Sequence, residues 1–347
     1  MSGIVSYGTY IPKYRLRLSS IAQMWGKDSD EIEAGLRMVE KAVSGFDEDA
    51  VTMGIEAGKK AIELAEIKSG ELESVYFGSE SHPYAVKPSS TTVAEVLGMG
   101  TDYLAVDLEF ACKAGTAGMQ LLSSFTESKH AKYCLAIGSD VAQSKPSDVL
   151  EYTASSAACA LILGKDDVIA NILDFTSFSS DTPDFWRRDT EKFPSHGGRF
   201  TGEPSYFAHI LGASQRLFKQ AKIKPADFDH VVFHMPNAKF PKEAAKKLGF
   251  TPKQLEAGFI VEHIGNPYSA SSMVGLAAVL DIAKPKDKIF MCSYGSGAGS
   301  DAFVFEITKE IKDYQKHIKD TVARQIKNKE YIDYSLIAKN ILTKYRI

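Results

Sequence analysis

Apolar and polar positions follow two periods along the chain, and together they predict short buried strands alternating with helices. VTMGIEAGKKAIELAEI, residues 51–67, repeats apolar residues every three to four positions, which is typical of an amphipathic helix. It leads into SVYFGSE, residues 74–80, an apolar run of strand length. YLAVDLEF, KYCLAIGSDVA and ACALILG are further predicted strands. This order of elements is typical of an α/β fold with helices packed on sheets.

The second half of the chain repeats this order, which predicts an internal duplication. SQRLFKQAKI is a predicted helix, HVVFHMP a buried strand, and FIVEHIGNPYSASSMVGLAAVLD a strand or loop that leads into a small-residue helix. KIFMCSYGSGAGSDAFVFEI predicts two strands around a glycine-rich turn. Glu80 and Cys112 are separated by 32 residues, and so are His234 and Asn266. We therefore expect the four side chains to meet at paired strand ends and helix starts about a pseudo-twofold axis.

Three segments fall outside the repeat and suggest domain boundaries. Residues 14–36 are predicted to be a polar, helical insertion, and residues 174–206 an aromatic, glycine-rich cap or tunnel wall. The lysine-rich tail has spaced apolar residues and predicts a peripheral helical region. We expect an N-terminal half over residues 1–170, a C-terminal half over 171–310 and the helical tail over 311–347.

Composition and charge exclude several function classes. The chain has 347 residues, 44% of them hydrophobic, and a net charge of −3, so it can bury a large core and has no basic excess for nucleic acid. Its four cysteines are far apart, which favours neither a disulfide framework nor a metal site. The N-terminus has no signal pattern, and the apolar runs are too short to cross a membrane. We expect a cytoplasmic protein with no membrane partner.

The cysteine in LEFACKAGTAGMQLL, residues 108–122, has two interpretations that this segment alone leaves open. Cys112 is either a packed core thiol or a nucleophile at a helix start, where the helix dipole lowers the thiol pKa. The small residues behind it allow a helix to run close to neighbouring backbone, with its first amides facing a reacting oxygen. The other three cysteines, Cys134, Cys159 and Cys292, lie in apolar strand patterns and are predicted to be inert core residues.

Three further polar residues are candidates for chemistry, and each also has a structural interpretation. Glu80 ends an apolar strand, where burial would raise its pKa as a carbon-acid base requires, or it lies in a surface turn. His234 follows three apolar residues and is either structural or a general acid–base. Asn266 precedes a proline and either stabilises a turn or orients a thioester carbonyl.

The glycine-rich turn within residues 294–301 is also a candidate element of the site. It lacks both the GK[ST] ending and the GxGxxG pattern of phosphate loops. A tight turn that brings the Ser296 amide to the cysteine is the better interpretation. Amides from Cys112 and Ser296 would then form an oxyanion hole.

These motifs together resemble the thiolase superfamily over residues 1 to about 310, and the whole chain is similar to the compact archaeal form of the 3-hydroxy-3-methylglutaryl-CoA (HMG-CoA) synthase family. Cys112, His234 and Asn266 look like the Cys-His-Asn set of the initiating condensing enzymes, such as ketoacyl synthase III. Glu80 distinguishes the HMG-CoA synthases from that branch. The segments GIVSYGTYIPKYRL, SES, EFACKAGTAG and FHMPNAKFPKEA match the synthases. The resemblance implies a five-layer αβαβα sandwich of two βαβαβαββ halves.

The resemblance also implies a mechanism on CoA thioesters without a further cofactor. Cys112 would take the acetyl group of acetyl-CoA, and Glu80 would remove a proton from its methyl carbon. The enolate would add to the C3 ketone of acetoacetyl-CoA, with His234 donating to that ketone and Asn266 positioning the thioester. Hydrolysis of the Cys112 thioester would release (3S)-3-hydroxy-3-methylglutaryl-CoA, a precursor in the mevalonate pathway of isoprenoid synthesis.

Binding residues and partners follow from the same resemblance. Thr153 and Thr201 match positions near the acyl group. Lys239 and Lys242 are placed to contact the CoA phosphate or pantetheine. Lys27 and Asp28 are placed to contact the adenine end of CoA. The lysines are otherwise a solvated helix-start face. The expected partners are a second copy of the chain, acetoacetyl-CoA thiolase and an OB-fold (DUF35-type) protein. Two alternatives remain open: a condensing enzyme that uses malonyl groups from an acyl carrier protein, and a non-catalytic scaffold.

Overall fold

The computed structural model describes residues 2–128 and 130–345, and its first half has the predicted order of elements. The strands of the first half are β1 (Gly3–Tyr10), β2 (Tyr14–Arg17), β3 (Glu40–Ala42), β4 (Leu72–Gly78), β5 (Leu104–Leu108), β6 (Tyr133–Val141) and β7 (Ser156–Gly164). Its helices are α1 (Leu18–Met24), α2 (Ser29–Leu36), α3 (Ala50–Ala65), α4 (Ser89–Leu97) and α5 (Ala114–Glu127).

The remainder of the chain contains the second half and the tail. Its strands are β8 (Ala170–Ser179), β9 (Phe185–Trp186), β10 (Ser195–His196), β11 (His230–Phe233), β12 (Lys288–Cys292), β13 (Gly299–Ile307) and β14 (Glu330–Tyr331). Its helices are α6 (Gly198–Phe200), α7 (Ala208–Ala221), α8 (Phe240–Leu248), α9 (Pro252–Glu256), α10 (Val261–Ile264), α11 (Ser271–Leu280), α12 (Ile311–His317), α13 (Val322–Lys327) and α14 (Tyr334–Tyr345). A π-helical turn, Thr201–Phe207, joins α6 to α7.

The strands of both halves form one hydrogen-bonded sheet of nine strands, in the order β11-β12-β13-β8-β1-β7-β6-β4-β5. The halves meet where β1 and β8 pair antiparallel, with Gly3 opposite Asn171 and Ile4 opposite Ala170. On either side of this junction the order is mirrored, because β7, β6 and β4 of the first half correspond to β13, β12 and β11 of the second. The sheet therefore carries the duplication that the sequence predicts.

Helices cover both faces of each half-sheet. Helix α3 packs on β1, β7 and β6, and α7 packs on β8, β13 and β12. Helices α5 and α11 contact each other, and α11 touches strands of both halves. The apolar helix α11 is buried almost throughout, as a central helix must be. Three helical layers with two half-sheets between them confirm the predicted α/β sandwich.

Two segments outside the repeat and one segment within it differ from their predicted structure. The insertion at residues 14–36 begins with a strand, β2, which pairs with β3 and β14. The expected cap, residues 174–206, begins inside β8, because its first residues, DFTSFS, continue the ladder with β13. FIVEH contains the short helix α10 and no strand, so β5 has no counterpart among the described residues of the second half.

The tail is packed into the first half and is not peripheral. The Tyr314 hydroxyl donates to the Tyr7 carbonyl oxygen at 3.0 Å and accepts from the Tyr7 N–H at 2.8 Å. The side-chain amide oxygen of Gln325, Oε1, accepts from the Ile11 N–H at 2.9 Å. These contacts satisfy backbone groups of β1 and its end, which a single sequence does not reveal. None of the helices among the described residues combines the length and apolar character needed to cross a membrane.

Candidate active site

Three parallel strands of the first half end side by side and carry acidic and thiol groups at their ends. Strand β4 runs parallel to both β5 and β6. Glu80 follows β4, Cys112 follows β5, and Asp140 lies at the end of β6. Because the carboxyl ends of parallel strands meet at one edge of a sheet, these three side chains are brought together.

The loop that carries Cys112 is held closely on both sides. Ala111 adopts a φ of 46°, a left-handed conformation that costs free energy in an alanine and is found in constrained turns of active sites. Behind the loop, a Cβ on Gly115 would lie 2.9 Å from a backbone atom of β6. In front, a Cβ on Gly295 would lie 2.7 Å from the Phe110 carbonyl oxygen. The small residues around Cys112 therefore allow the close packing that the sequence predicted.

Cys112 is buried, and its surroundings keep the thiol protonated. Burial, followed by the charge of Glu80 and a hydrogen bond to its carboxyl group, holds the pKa of the thiol well above its usual range. The Ser296 backbone N–H donates to the sulfur and acts in the opposite direction. The lowered pKa that a helix start favours is therefore not found, because burial outweighs the dipole of α5, which begins two residues later at Ala114.

Glu80 shows the raised pKa that the sequence predicted. Burial, followed by the negative charge of Asp140, raises the pKa of its carboxyl group to about 8, while the Cys112 hydrogen bond and the charge of Arg187 lower it. Its Oε1 atom is buried without a hydrogen-bond partner among the described residues. A surface-turn glutamate would have neither property, so that interpretation is wrong.

Asp140 is a functional residue that the sequence analysis missed, and it ties the two halves together. Its Oδ1 accepts from the Glu80 N–H at 2.8 Å and from the hydroxyl groups of Ser79 and Ser81 at 2.8 and 2.6 Å. Its Oδ2 accepts from the Ser269 N–H of the second half at 2.9 Å. The available signal was an aspartate at the end of an apolar strand, the same signal that indicated Glu80.

A buried ion pair next to Cys112 also joins the halves. The Lys113 ammonium group lies 3.0 Å from a carboxylate oxygen of Asp301 on β13, and both side chains are almost fully buried. Hydroxyl groups of Thr116 and Ser177 donate to the same carboxylate at 3.0 and 2.7 Å. Protein donors therefore replace water around the buried Asp301 carboxylate, as a buried charge requires.

His234 follows β11 directly, and its imidazole is buried and neutral. Burial lowers the pKa of the ring to about 3. Its Nδ1 has no hydrogen-bond partner among the described residues. The backbone is held on both sides, because the His234 N–H donates to the Cys292 carbonyl at 3.0 Å and the Tyr206 hydroxyl donates to the His234 carbonyl at 2.8 Å. A neutral imidazole in a fixed position serves as a hydrogen-bond donor or acceptor.

Asn266 has the turn role and also remains suited to bind a carbonyl. Its Oδ1 accepts from the Tyr268 N–H at 3.1 Å, which forms the turn expected from an Asn-Pro sequence. Its backbone N–H donates to the Thr153 carbonyl at 2.8 Å. Tyr268 packs with Cys112 in one small apolar cluster, so the turn lies beside the thiol. The Nδ2 amino group is the donor that this arrangement leaves for a substrate.

The cap forms one wall of a cleft of about 200 Å³ that is also lined by Glu80, Tyr268 and Ser296. Buried Asp184 accepts from the Gly297 N–H and the Tyr294 hydroxyl, both at 2.8 Å, and so fixes the cap to the Ser296 turn. The cleft is lined by Ser79, Glu80, Glu109, Ala111, Gln143, Phe185, Trp186, Arg187, Pro194, Tyr268 and Ser296. Asp184 and Arg187 were both missed, because contacts between a cap and two distant turns leave no periodic pattern in a sequence.

Of the remaining predicted substrate-binding residues, Thr153 contacts the Asn266 turn, and the others lie in or at the ends of helical segments. Thr153 is buried beside the Asn266 turn, and Thr201 begins the half-buried π-helical turn. Lys239 is exposed at the start of α8. Lys242 forms an ion pair with Glu262 at 2.8 Å.

Asp28 is the N-cap of α2, where its carboxylate accepts from the Asp30 and Glu31 N–H groups at 2.9 and 3.0 Å. That role accounts for Asp28 without a ligand, and a contact of Asp28 or of exposed Lys27 with adenine stays a prediction. Within residues 2–128 and 130–345, no group of three histidine, cysteine or acidic side chains is placed to hold a metal ion.

The architecture and the site define the class of protein. The C-terminal part of 3-oxoacyl-[acyl-carrier-protein] synthase III matches residues 218–307. A solved HMG-CoA synthase in complex with CoA superposes with a TM-score of 0.87 at 22% identity, covering 97% of this chain and 89% of that one. MvaS in complex with 3-hydroxy-3-methylglutaryl coenzyme A gives a TM-score of 0.89 at 20% identity, covering 98% and 91%. The fold is that of the thiolase-like condensing enzymes.

Sequence similarity identifies the family within this class. Over 340 residues the chain is 52% identical to the hydroxymethylglutaryl-CoA synthase of Archaeoglobus fulgidus, with 98% of each chain covered. The chain belongs to the hydroxymethylglutaryl-CoA synthase family. The family, fold class, acyltransferase class and activity expected from the sequence are thereby confirmed.

Proposed function

We propose that Cys112 carries the acetyl group while this chain condenses acetyl-CoA with acetoacetyl-CoA and water to form HMG-CoA and CoA. The observation that carries the proposal is the contact of the Cys112 thiol with both the Glu80 carboxyl group and the Ser296 amide. A nucleophile, a base and an oxyanion donor thus meet at one sulfur atom. The thiol attacks the acetyl-CoA carbonyl, CoA leaves, and the acetyl group stays on sulfur.

Glu80 is proposed to be the base that removes a proton from the methyl carbon of acetyl-Cys112. A carboxylate with a pKa of about 8 is a far stronger base than an ordinary glutamate and is still partly ionised near neutral pH. The Ser296 N–H, together with the Cys112 N–H, stabilises the enolate oxygen without reorganisation.

His234 and Asn266 are proposed to bind the second substrate. The neutral imidazole donates a hydrogen bond to the C3 ketone of acetoacetyl-CoA and relays a proton to that oxygen as the enolate adds. The proton that Glu80 took from the methyl carbon balances the one delivered, so the imidazole ends the step neutral. The Asn266 Nδ2 group donates to the acetoacetyl thioester carbonyl, since its Oδ1 is occupied by the Tyr268 amide. Thr153 and Thr201 border the acyl groups, and Lys239 and Lys242 are placed for CoA. No cofactor beyond the CoA thioesters is required.

A homodimer through the edge strand β5 is part of the proposal. Strand β5 ends the nine-stranded sheet and pairs only with β4 in the described chain. Exposed apolar side chains lie near this edge: Tyr84, Val86, Val96, Leu104, Phe110 and Leu121. A long unpaired edge flanked by apolar surface is a liability for a monomer, and a symmetric pairing would cover it.

From the family resemblance we also propose that the protein is cytoplasmic and acts in the mevalonate pathway. We further propose that it forms a complex with acetoacetyl-CoA thiolase and an OB-fold (DUF35-type) protein. Direct transfer of acetoacetyl-CoA would favour product formation, because thiolase condensation is thermodynamically uphill. Size measurement of the purified chain, alone and with these proteins, tests both associations.

The activity is tested by the release of free CoA thiol from acetyl-CoA. We expect release that depends on acetoacetyl-CoA and no release of carbon dioxide from malonyl thioesters. Malonyl-dependent carbon dioxide release would support a carrier-protein condensing enzyme, and no thiol release with partners supplied would support a scaffold.

A further inference from the structure

The cleft lined by Glu80 and Ser296, the two residues that contact the Cys112 thiol, has an uneven distribution of charge. Two acidic side chains, Glu80 and Glu109, line it, and Asp140 lies directly behind Glu80. Among the described residues that line this cleft, Arg187 is the one cationic side chain. An anion that enters or forms here therefore meets one attractive group and several repulsive ones.

The backbone that carries Arg187 is fixed relative to the reacting groups. Two residues before it, Phe185 packs edge-on against Tyr268, with the ring centroids 6.0 Å apart. The Phe185 carbonyl oxygen lies so close to Gly297 that a Cβ there would approach it to 2.9 Å. The Arg187 side chain is exposed and donates one long hydrogen bond, 3.4 Å, to the Glu191 carbonyl. Its guanidinium group is thus anchored at its base and available at its tip.

The last step of the reaction creates an anion in this cleft. Water attacks the carbonyl carbon of the acyl group on Cys112, the carbon–sulfur bond breaks, and the sulfur takes up one proton. The new carboxylic acid loses its other proton to solvent and becomes a carboxylate. A neutral thioester is thereby converted into a carboxylate in a cleft that is lined by Glu109 and lies next to the buried carboxylate of Asp140, so negative charge opposes it.

We propose that Arg187 binds the carboxylate that hydrolysis creates and forms the subsite for the acidic end of the product. A guanidinium group suits this task because it binds a carboxylate through two parallel hydrogen bonds. Substrates lack this carboxylate, so Arg187 distinguishes product from substrate. The inference rests on the proposed role of Cys112 as the acyl carrier.

Inhibition by two CoA thioesters tests the subsite. HMG-CoA has the free carboxylate, and 3-hydroxybutyryl-CoA lacks it. In Arg187→Gln we expect inhibition by HMG-CoA to weaken by about 10-fold or more, which is the usual effect of losing a hydrogen-bonded charge. Inhibition by 3-hydroxybutyryl-CoA should stay within about twofold of the wild-type value. Arg187→Lys should restore part of the difference. Arg188→Gln removes the neighbouring exposed charge, outside the cleft lining, and should leave both constants unchanged.

The outcome separates this inference from the proposed function. If acetyl-CoA labels Cys112 but Arg187→Gln weakens both inhibitors equally, or neither, the carboxylate subsite is wrong and the role of Cys112 stands. If acetyl-CoA does not label Cys112 in the wild-type protein, the proposed function itself fails, and the inference fails with it.

Discussion

The two halves of the chain hold their candidate residues in opposite electrostatic settings. In the first half, Glu80 and Cys112 lie beside the buried carboxylate of Asp140, and the pKa of each is raised. In the second half, burial alone lowers the pKa of His234 to about 3. One order of strands and helices thus supports two groups with raised pKa values in the first half and a neutral imidazole in the second.

The difference shows how a duplicated fold divides a reaction. Groups whose environments push their pKa values apart take different roles, even where their backbone positions correspond. The first half is suited to covalent and proton-transfer steps, since the pKa of Glu80 is raised to about 8 and the Cys112 thiol contacts its carboxyl group. The second half is suited to bind and polarise carbonyl groups, since its groups keep one protonation state.

The largest expected effect on this division is that of Glu80→Gln. The amide cannot accept a proton from carbon, so we expect condensation to fall by about 10²–10⁴-fold while acetylation of Cys112 continues. Labelling with radioactive acetyl-CoA measures the acetylation of Cys112, and thiol release in the presence of acetoacetyl-CoA measures the condensation. Glu95→Gln, an exposed glutamate on α4, is the control and should retain both. Normal condensation in Glu80→Gln would remove Glu80 as the base.

The contact between the halves is broken by Lys113→Met. Removal of one partner leaves the Asp301 carboxylate buried without its counter-charge, so we expect the free energy of unfolding to fall by about 3–5 kcal/mol. The double variant Lys113→Met/Asp301→Asn removes both charges and should recover most of the loss. Urea denaturation measures both. A loss below about 1 kcal/mol in the single variant would show that the pair does not hold the halves together.

A smaller effect is expected in the second half from His234→Gln. Loss of a positioned donor should lower kcat for condensation by about 10²-fold, at the low end for acid–base groups, and leave acetylation of Cys112 intact. His230→Gln is the matched control, because His230 lies at the other end of β11 and contacts Asp287 at 3.3 Å. Loss of acetylation in His234→Gln would mean that the two halves do not divide the steps.

The pH dependence of the wild-type enzyme should report only the first half. A base with a raised pKa is protonated, and therefore inactive, below that value, so kcat/KM for condensation should rise with pH and level off above about 8. His234, with a pKa of about 3, stays neutral throughout. A rise centred near pH 6.5 that disappears in His234→Gln would reverse the assignment of base and donor.

The sequence predicted the elements that local patterns encode. The 32-residue spacing was informative for Glu80, Cys112 and His234, because each follows a strand and parallel strands end at one edge of a sheet. Asn266 follows helix α10 instead. The small residues after Cys112 predicted its close packing. Both signals are repeated in the two halves of the chain, and both can be detected without knowing which distant segments are in contact.

Contacts between distant segments could not be predicted in this way. Lys113 meets Asp301, Asp184 meets the turn at Gly297, and Tyr314 completes the hydrogen bonds of β1. Each contact joins residues more than a hundred positions apart, and no periodicity in either segment specifies its partner. The raised pKa of Cys112 was missed for the same reason, since it depends on burial and on Glu80.

Intact mass of the protein after incubation with acetyl-CoA tests the central claim most directly. We expect an added mass of one acetyl group on the wild-type chain, its absence in Cys112→Ala, and its loss when acetoacetyl-CoA is added. Cys134→Ala, which alters a buried thiol in β6, should still be labelled. An adduct that persists in Cys112→Ala, or no adduct on the wild-type chain, would contradict the assignment of the covalent step to the first half.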